Sequence, residues 1–94
     1  MEKKPKNILL KTYYNKKKVL VIGANGFKGT WLSLILKSLG ANVYGIGINK
    51  KEYVFSNLIK IKKIINYKNL NINHHKQLEK YIRNIDPDII FHLA

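Results

Sequence analysis

An α/β fold built on a parallel sheet is what this sequence predicts, and three observations carry it. Two short apolar runs, "KVLVIG" and "NVYGIGIN", have the β-branched character of strands buried on both faces. A stretch of helical period lies between them. The alternation then continues to residue 94, giving β-α-β-(α)-β-α-β. Strands and helices of this length in alternation mean parallel strands joined by right-handed crossovers. The 94 residues suffice for one small domain with a real core.

The elements follow in order. Residues 1–16 show no steady period, and Pro5 discourages an early helix. They read as an N-terminal extension with a short helix near Asn7–Tyr14. The domain proper spans residues 17–94. Its first strand, Val19–Ile22, ends at Gly23. From Gly26 the period becomes helical. Phe27, Trp31, Leu32, Ile35, Leu36 and Leu39 fall on one apolar stripe, which makes Trp31 a core residue and leaves Lys28, Ser33 and Lys37 off the stripe. Gly40 reads as the C′ cap. A second strand covers about Val43–Ile48, and its glycines Gly45 and Gly47 signal close backbone approach or tight packing. "VFSNLIKIKKII" predicts a short helix with Phe55, Ile59 and Leu58 inward. A third strand lies within Asn66–Ile72. "HHKQLEKYIRNI" is an amphipathic helix with Leu78, Tyr81, Ile82 and Ile85 on one face. Pro87 ends it, with Asp86 and Asp88 in the helix-to-strand turn. "DIIFHLA" makes the fourth strand.

Composition narrows the function classes. The chain has no cysteine, which excludes disulfides, thiolate catalysis and cysteine zinc sites. Its net charge is +13, which raises the question of nucleic acid or an anionic membrane. Lysines outnumber arginines 17 to 1, and Lys, Ile and Asn together make 42 of the 94 residues. These three amino acids have AT-rich codons, and base and phosphate forks favour arginine. The lysines are also scattered, so the expectation is no specific nucleic-acid partner. No run approaches the ~20 apolar residues of a membrane helix. The basic N-terminus lacks a signal-type apolar segment. A soluble, cytoplasmic chain is expected. His74 and His75 point apart on a helix with no third ligand near, so no metal is expected. His92 reads as a packed strand residue.

The chemistry points to the turn "GANGFKGTW". Gly23, Gly26 and Gly29 stand in a GxxGxxG rhythm between a buried strand and an amphipathic helix, the context that a phosphate-binding turn needs. Gly23 allows the tight turn. Gly26 lets the backbone approach a pyrophosphate, and Gly29 lets the helix pack closely on the strand. The helix N-terminus offers free N–H groups and positive dipole to the phosphates. These features make the domain the N-terminal half of a Rossmann-type doubly wound parallel sheet of about four strands.

GxxGxxG at the first turn resembles the extended short-chain dehydrogenase/reductase superfamily, also called the NAD-dependent epimerase/dehydratase superfamily. "GFKGTWLSLILKSLGANVYGIGIN" resembles, more specifically, the stretch "GFKGxWLxLxLxxxGAxVxG" of CDP-glucose 4,6-dehydratases. Lys28 and Trp31 carry that distinction, since most of the superfamily has an aliphatic residue at the first position and lacks the tryptophan. "IDPDIIFHLA" resembles that family's "PEIVFHLAAQ". The resemblance covers about residues 17–94.

What the resemblance implies is a lyase of nucleotide-sugar metabolism. Family members bind NAD, oxidise the sugar at C4, lose water across C5–C6 and return the hydride to C6. CDP-glucose becomes CDP-4-keto-6-deoxyglucose, a precursor of dideoxy sugars in lipopolysaccharide and other surface polysaccharides. The complete enzyme would take a nucleotide-sugar substrate and form a homo-oligomer. Gly23, Gly26, Phe27, Lys28 and Gly29 match the pyrophosphate turn, with the backbone N–H groups of Phe27 and Lys28 as contacts. Asn71 and Ile72 match the Asp-Ile/Val pair at the adenine edge, with an amide in place of the carboxylate. Leu93 and Ala94 match the stretch lining the ribose and nicotinamide half. At the ribose-reading position stands Asn49, followed by Lys50 and Lys51, where NAD binders carry an acid. NAD is implied by the family, and the two lysines leave NADP open.

The family's catalytic tyrosine–lysine pair (YxxxK) and its acid–base partners are not in a suitable place here. Tyr13 and Tyr14 precede the first strand, and Tyr53 and Tyr67 have no lysine four residues on. No catalytic residue is therefore assigned, and these 94 residues are expected to be an inactive fragment. The fourth strand would then be an exposed apolar edge, giving marginal stability and a tendency to aggregate. Two other readings stay open: a fragment of another member such as a nucleotide-sugar epimerase, or a non-catalytic dinucleotide-binding module.

Overall fold

A strand buried at four of its five residues organises the structure, a computed structural model that describes residues 6–48 and 54–93. In chain order the elements are α1 (Lys6–Tyr14), β1 (Lys18–Ile22), α2 (Phe27–Ser38), β2 (Asn42–Gly47), α3 (Val54–Ile59), α4 (Ile61–Ile64), β3 (Asn66–Asn69), α5 (His75–Ile85) and β4 (Ile89–His92). The strands form one sheet in the order β3-β2-β1-β4, and every pairing is parallel. β1 lies between β2 and β4, with Val19 opposite Val43 on one side and Ile89 on the other. Its apolar residues are buried because neighbours flank it and helices cover both faces.

The period of two along β1 divides the core. Val19 and Val21 join Leu36, Val43, Ile61 and Ile65 on the face under α2 and α4. Leu20 and Ile22 join Ile46 and Leu70 on the other face, where Leu78, Tyr81 and Ile82 of α5 pack. Burial of the Tyr81 phenol, followed by the neighbouring Tyr44, pushes its pKa above 10.0.

The ends of the elements have local causes. Gly40 has φ +86 and closes α2, with its N–H on the Lys37 carbonyl and the Ala41 N–H on the Leu36 carbonyl. This paired pattern is a Schellman motif, and it needs the left-handed residue that glycine supplies. Asp86, also left-handed, ends α5. The Lys18 N–H donates to Asp88 Oδ2 at 2.8 Å and the Asp88 N–H donates to the Lys18 carbonyl at 2.8 Å. This reciprocal pair sets β4 beside β1. The helix expected near Asn7–Tyr14 runs Lys6–Tyr14, and Tyr14 packs against the first core. The predicted strands shift by one or two residues at their ends. His74 precedes α5 instead of lying on it, so the two histidines do not share a helix. β4 stands at a sheet edge among the described residues, with Ile90 and Leu93 about half exposed.

Two expectations are corrected. The stripe of large apolar residues on α2 is buried on one side only: Leu36 and Leu39 are in the core and Leu32 packs against it, but Phe27, Trp31 and Ile35 are not. Gly29, Thr30, Ser33 and Leu36 are buried, whereas Phe27 is 68% exposed, Trp31 48% and Ile35 50%. Trp31 is thus no core residue. Its ring lies 5.2 Å from that of Phe55, which also meets Phe27 at 5.8 Å. The physical reason is close approach: a helix with glycine, serine and threonine on one side can come nearer the sheet than one with phenylalanine and tryptophan there. The hydroxyls cost little when buried, because Ser33 donates to the Gly29 carbonyl at 2.7 Å and Thr30 to the Ala24 carbonyl at 3.0 Å.

The second correction concerns residues 54–65, which form two short helices instead of one. Lys60, at φ 55, breaks them apart. Among the described side chains the buried ones there are Ser56, Ile61 and Ile65, with Ile59 partly buried and Phe55 turned to the aromatic group. The Leu58 side chain lies outside the described residues.

Candidate functional site

β1 runs straight into the glycine turn. Gly23 adopts φ +89, a conformation that side chains rarely accept. The Gly23 and Ala24 N–H groups both donate to the Ile46 carbonyl, at 2.8 and 3.0 Å, which ties the turn to β2. Asn25, buried within the turn, donates its side-chain amide to the Ile48 carbonyl. The Gly26 N–H returns to the Gly23 carbonyl at 3.2 Å. Gly26 is the N-cap of α2, with φ −71 and ψ 170.

The three glycines have different reasons. Gly23 is required by its dihedral angle. Gly29 is required by space: a Cβ there would stand 1.9 Å from the Gly23 carbonyl oxygen. Gly26 is required by neither. Its φ suits any residue, and among the described residues a Cβ would meet only the Gly23 oxygen at 3.5 Å, an ordinary contact.

The start of α2 is equally open. The first N–H groups of any helix lack intrahelical acceptors. No side chain caps this one, and no acidic residue occupies its first turn. Phe27 and Lys28 stand in that turn with exposed side chains. Backbone donors, a helix dipole and a missing Cβ suit an anionic group such as a pyrophosphate.

The other expected residues cluster less tightly. The Leu93 N–H donates to the Ile22 carbonyl at 2.9 Å, so the end of β4 adjoins the glycine turn. Asn71 and Ile72 follow β3, two strands away from β1, which is about 10 Å in a sheet. The Asn71 side-chain oxygen accepts the Asn73 N–H at 2.9 Å and its carbonyl accepts the His74 N–H at 3.0 Å. Asn71 therefore shapes the turn from β3 into α5. Ile72 packs against the second core. Asn49, Lys50, Lys51 and Ala94 lie outside the described residues. Sequence reasoning missed Asn25, whose place between turn glycines was the available signal, and the partly buried Tyr67 on β3.

No three histidine or acidic side chains come together as a metal site among the described residues. No helix among them is long and apolar enough to cross a membrane.

Comparison with known proteins agrees with this geometry. Residues 20–94 match the family model described as GDP-mannose 4,6 dehydratase. The chain belongs to this family. Within the nucleotide-sugar dehydratase and epimerase group that it represents, one similar protein is the CDP-glucose 4,6-dehydratase of Salmonella typhimurium (strain LT2), 31% identical over 85 residues. The match takes in 89% of this chain and 24% of that protein. Among solved structures, the epimerase Mth375 of Methanothermobacter thermautotrophicus is similar with a TM-score of 0.70 and 26% identity. That match covers 94% of this chain and 25% of the other. The chain thus spans about a quarter of the length of the relatives it matches. A dehydratase/epimerase family of this type implies a dinucleotide cofactor.

Proposed function

We propose that this chain supplies the dinucleotide-binding part of a nucleotide-sugar 4,6-dehydratase, with CDP-glucose as the substrate of the complete enzyme. The observation that carries the binding role is Gly26. The fold explains Gly23 and Gly29 and leaves Gly26 unexplained, and an uncapped helix start lies beside it. In this reading the N–H groups of Phe27 and Lys28 hold the pyrophosphate, and Gly26 lets it approach. The resemblance assigns Asn49 to the adenosine ribose, Asn71 and Ile72 to the adenine, and Leu93 and Ala94 to the nicotinamide half; open α/β sheets bind ligands beyond the strand ends. A bound nicotinamide dinucleotide, NAD or NADP, would accept the C4 hydride of the sugar and return it to C6 after water is lost. The residues described here bind and orient, and none of them moves the protons of that reaction. Lys28 and Trp31, through the stretch that resembles CDP-glucose 4,6-dehydratases, favour CDP-glucose. The likeness to the epimerase Mth375 supports a second reading, a nucleotide-sugar epimerase.

The test compares the wild-type chain with Gly26→Ala, using NADH and NADPH fluorescence and thermal melting. The wild type should bind at least one dinucleotide without turning over CDP-glucose. Gly26→Ala should bind about 10- to 100-fold more weakly, the scale of a small overlap in a packed contact. Its melting temperature should stay within about 3 °C, as for substitutions that meet no clash. Unchanged binding by the variant, or no binding by the wild type, would sink the reading.

A further inference from the structure

The positive charge is scattered through the domain but dense ahead of it. Residues 1–18 carry seven lysines and one glutamate, a net +6, whereas the other 76 residues carry +7. The family model begins at residue 20, so this dense segment precedes the residues that match it. The helix of the segment, α1, has a second unusual feature. Leu9 is 59% exposed, Leu10 47% and Tyr13 57%. On a helix of 3.6 residues per turn these three fall within about 100° of one another, as a single apolar face. Lys11, on the adjoining side of the helix, is exposed as well.

The domain fastens the far end of α1. Tyr14 packs against the first core, the Lys17 N–H donates to the Tyr14 carbonyl at 3.0 Å, and the Lys16 N–H donates to the Gly40 carbonyl at 2.8 Å. Tyr14 thus takes the inward side of the helix and leaves Leu9, Leu10 and Tyr13 outward. The Lys17 ammonium stands 5.2 Å from the centre of the Tyr13 ring, and Lys16 is exposed beside it in sequence. Asp86 and Asp88 precede β4 at this same end of the sheet, and Asp88 already accepts the Lys18 N–H. The glycine turn lies at the other end of β1, five residues on, which is about 16 Å along a strand.

We infer that α1 and the lysines around it form a docking surface for an anionic lipid bilayer. The helix lies in the plane of the interface, with Leu9, Leu10 and Tyr13 at the boundary of headgroups and acyl chains and Lys11, Lys16 and Lys17 among the anionic headgroups. Apolar side chains rimmed by cations match the two layers of such a surface. A nucleic-acid backbone offers the charge without the apolar layer. Tyrosine suits that depth, with an apolar ring and a polar tip, and lysine reaches outward to the headgroups on a flexible stem. α1 has nine residues, far short of a span, so the contact is peripheral and reversible. It leaves the glycine turn at the opposite end of the sheet, and it stands whatever that turn binds.

The experiment sediments the chain with vesicles of phosphatidylcholine alone and with vesicles of equal parts phosphatidylcholine and phosphatidylserine. Four proteins are compared: the wild type, Leu9→Ser/Leu10→Ser, Lys11→Gln/Lys17→Gln and Lys76→Gln/Lys80→Gln. The last pair removes the same charge from exposed positions in the first half of α5, so it controls for non-specific attraction. The wild type should bind the anionic vesicles and not the neutral ones, and raised salt should release it. The leucine pair should bind about tenfold or more weakly, the scale of two leucines leaving an apolar layer. The α1 lysine pair should lose about 20-fold, since each lysine near an anionic surface contributes about fivefold. The control pair should stay within about threefold of the wild type. Melting curves check that the variants fold, and Leu9→Ser is measured alone beside the pair. No binding to the anionic vesicles would overturn the inference. So would a leucine pair that binds like the wild type, because charge open to any polyanion would then account for the binding. A loss in the control pair as large as in the α1 lysine pair would overturn it as well. A wild type that dimerises in sedimentation equilibrium while the leucine pair stays monomeric would give this face to a second copy of the chain, and the inference would fall.

Discussion

Replacing Gly29 by alanine should destabilise the fold, although helix propensity argues the opposite. Alanine is favoured over glycine inside a helix by about 1 kcal/mol. At position 29 the added Cβ would stand 1.9 Å from the Gly23 oxygen, 2.7 Å from the Gly23 carbonyl carbon and 3.0 Å from the Ala24 Cα. All three are backbone atoms, and Gly23 is held in place by its own hydrogen bond to Ile46. No side chain can rotate out of the way. The first turn of α2 would have to lift by about 1 Å, and a close-packed interior resists such a shift. The face that lifts carries Thr30, Ser33 and Leu36, each at 2% exposure or less. Overpacking of a well-packed core costs about 1–3 kcal/mol, and a backbone clash belongs at the upper end. Subtracting the propensity gain leaves a net loss of about 2 kcal/mol. For a domain of this size that lowers the melting temperature by about 10 °C. Circular dichroism melts of both proteins at matched concentration read the effect. A variant that melts within about 2 °C of the wild type, or above it, would refute the packing argument.

Two further outcomes are expected. Gly47→Ala places a Cβ 2.1 Å from Asn25 Oδ1, a side-chain atom, so the clash depends on Asn25. Asn25→Ala alone should cost about 1 kcal/mol through the lost bond to the Ile48 carbonyl. The double variant should cost about 1 kcal/mol less than the sum of the singles in urea unfolding, and strict additivity would contradict the contact. The phenol of Tyr81 is the other case. Its folded pKa is raised, mainly by burial and then by Tyr44, so the folded state holds that proton more tightly than the unfolded state. The resulting stability is complete below pH 10.0 and is lost as pH rises through the folded pKa. Stability should fall more gently above that pH in Tyr81→Phe than in the wild type, and parallel pH profiles would count against the buried phenol.

β1, β2 and β4 were readable because β-branched runs bounded by glycine or proline have few other uses, whereas β3, Asn-Tyr-Lys-Asn, was placed by the alternation alone. The buried face of α2 was not readable from period. A stripe of large apolar residues shows that a helix is amphipathic, and the sheet selects the face that lets the axes come closest. Gly29 fixes that choice in the first turn. Ser33 and Leu36 follow it one and two turns later, and the hydroxyls of Thr30 and Ser33 are satisfied by carbonyls of their own segment. Phe27 and Trp31 are thereby turned outward to meet Phe55. The division of residues 54–64 into two helices was hidden for a different reason. α3 and α4 have six and four residues, too few to show a period.

The glycine triplet shows where a sequence pattern stops and coordinates begin. As a motif, GxxGxxG treats its three positions alike. In the structure they separate by cause. Substitution at Gly23 meets a positive φ, and substitution at Gly29 meets backbone. Both would be selected in any protein that makes this turn, whether or not it binds anything. Gly26 alone can accept a methyl group without disturbing the chain around it. A glycine there gains nothing in stability, because its unfolded state is the most disordered of any residue. On the dinucleotide-binding proposal, the advantage comes from outside the chain, from a group that approaches the backbone between Gly26 and Phe27. For that reason Gly26→Ala separates ligand binding from folding, and neither of the other two glycines can.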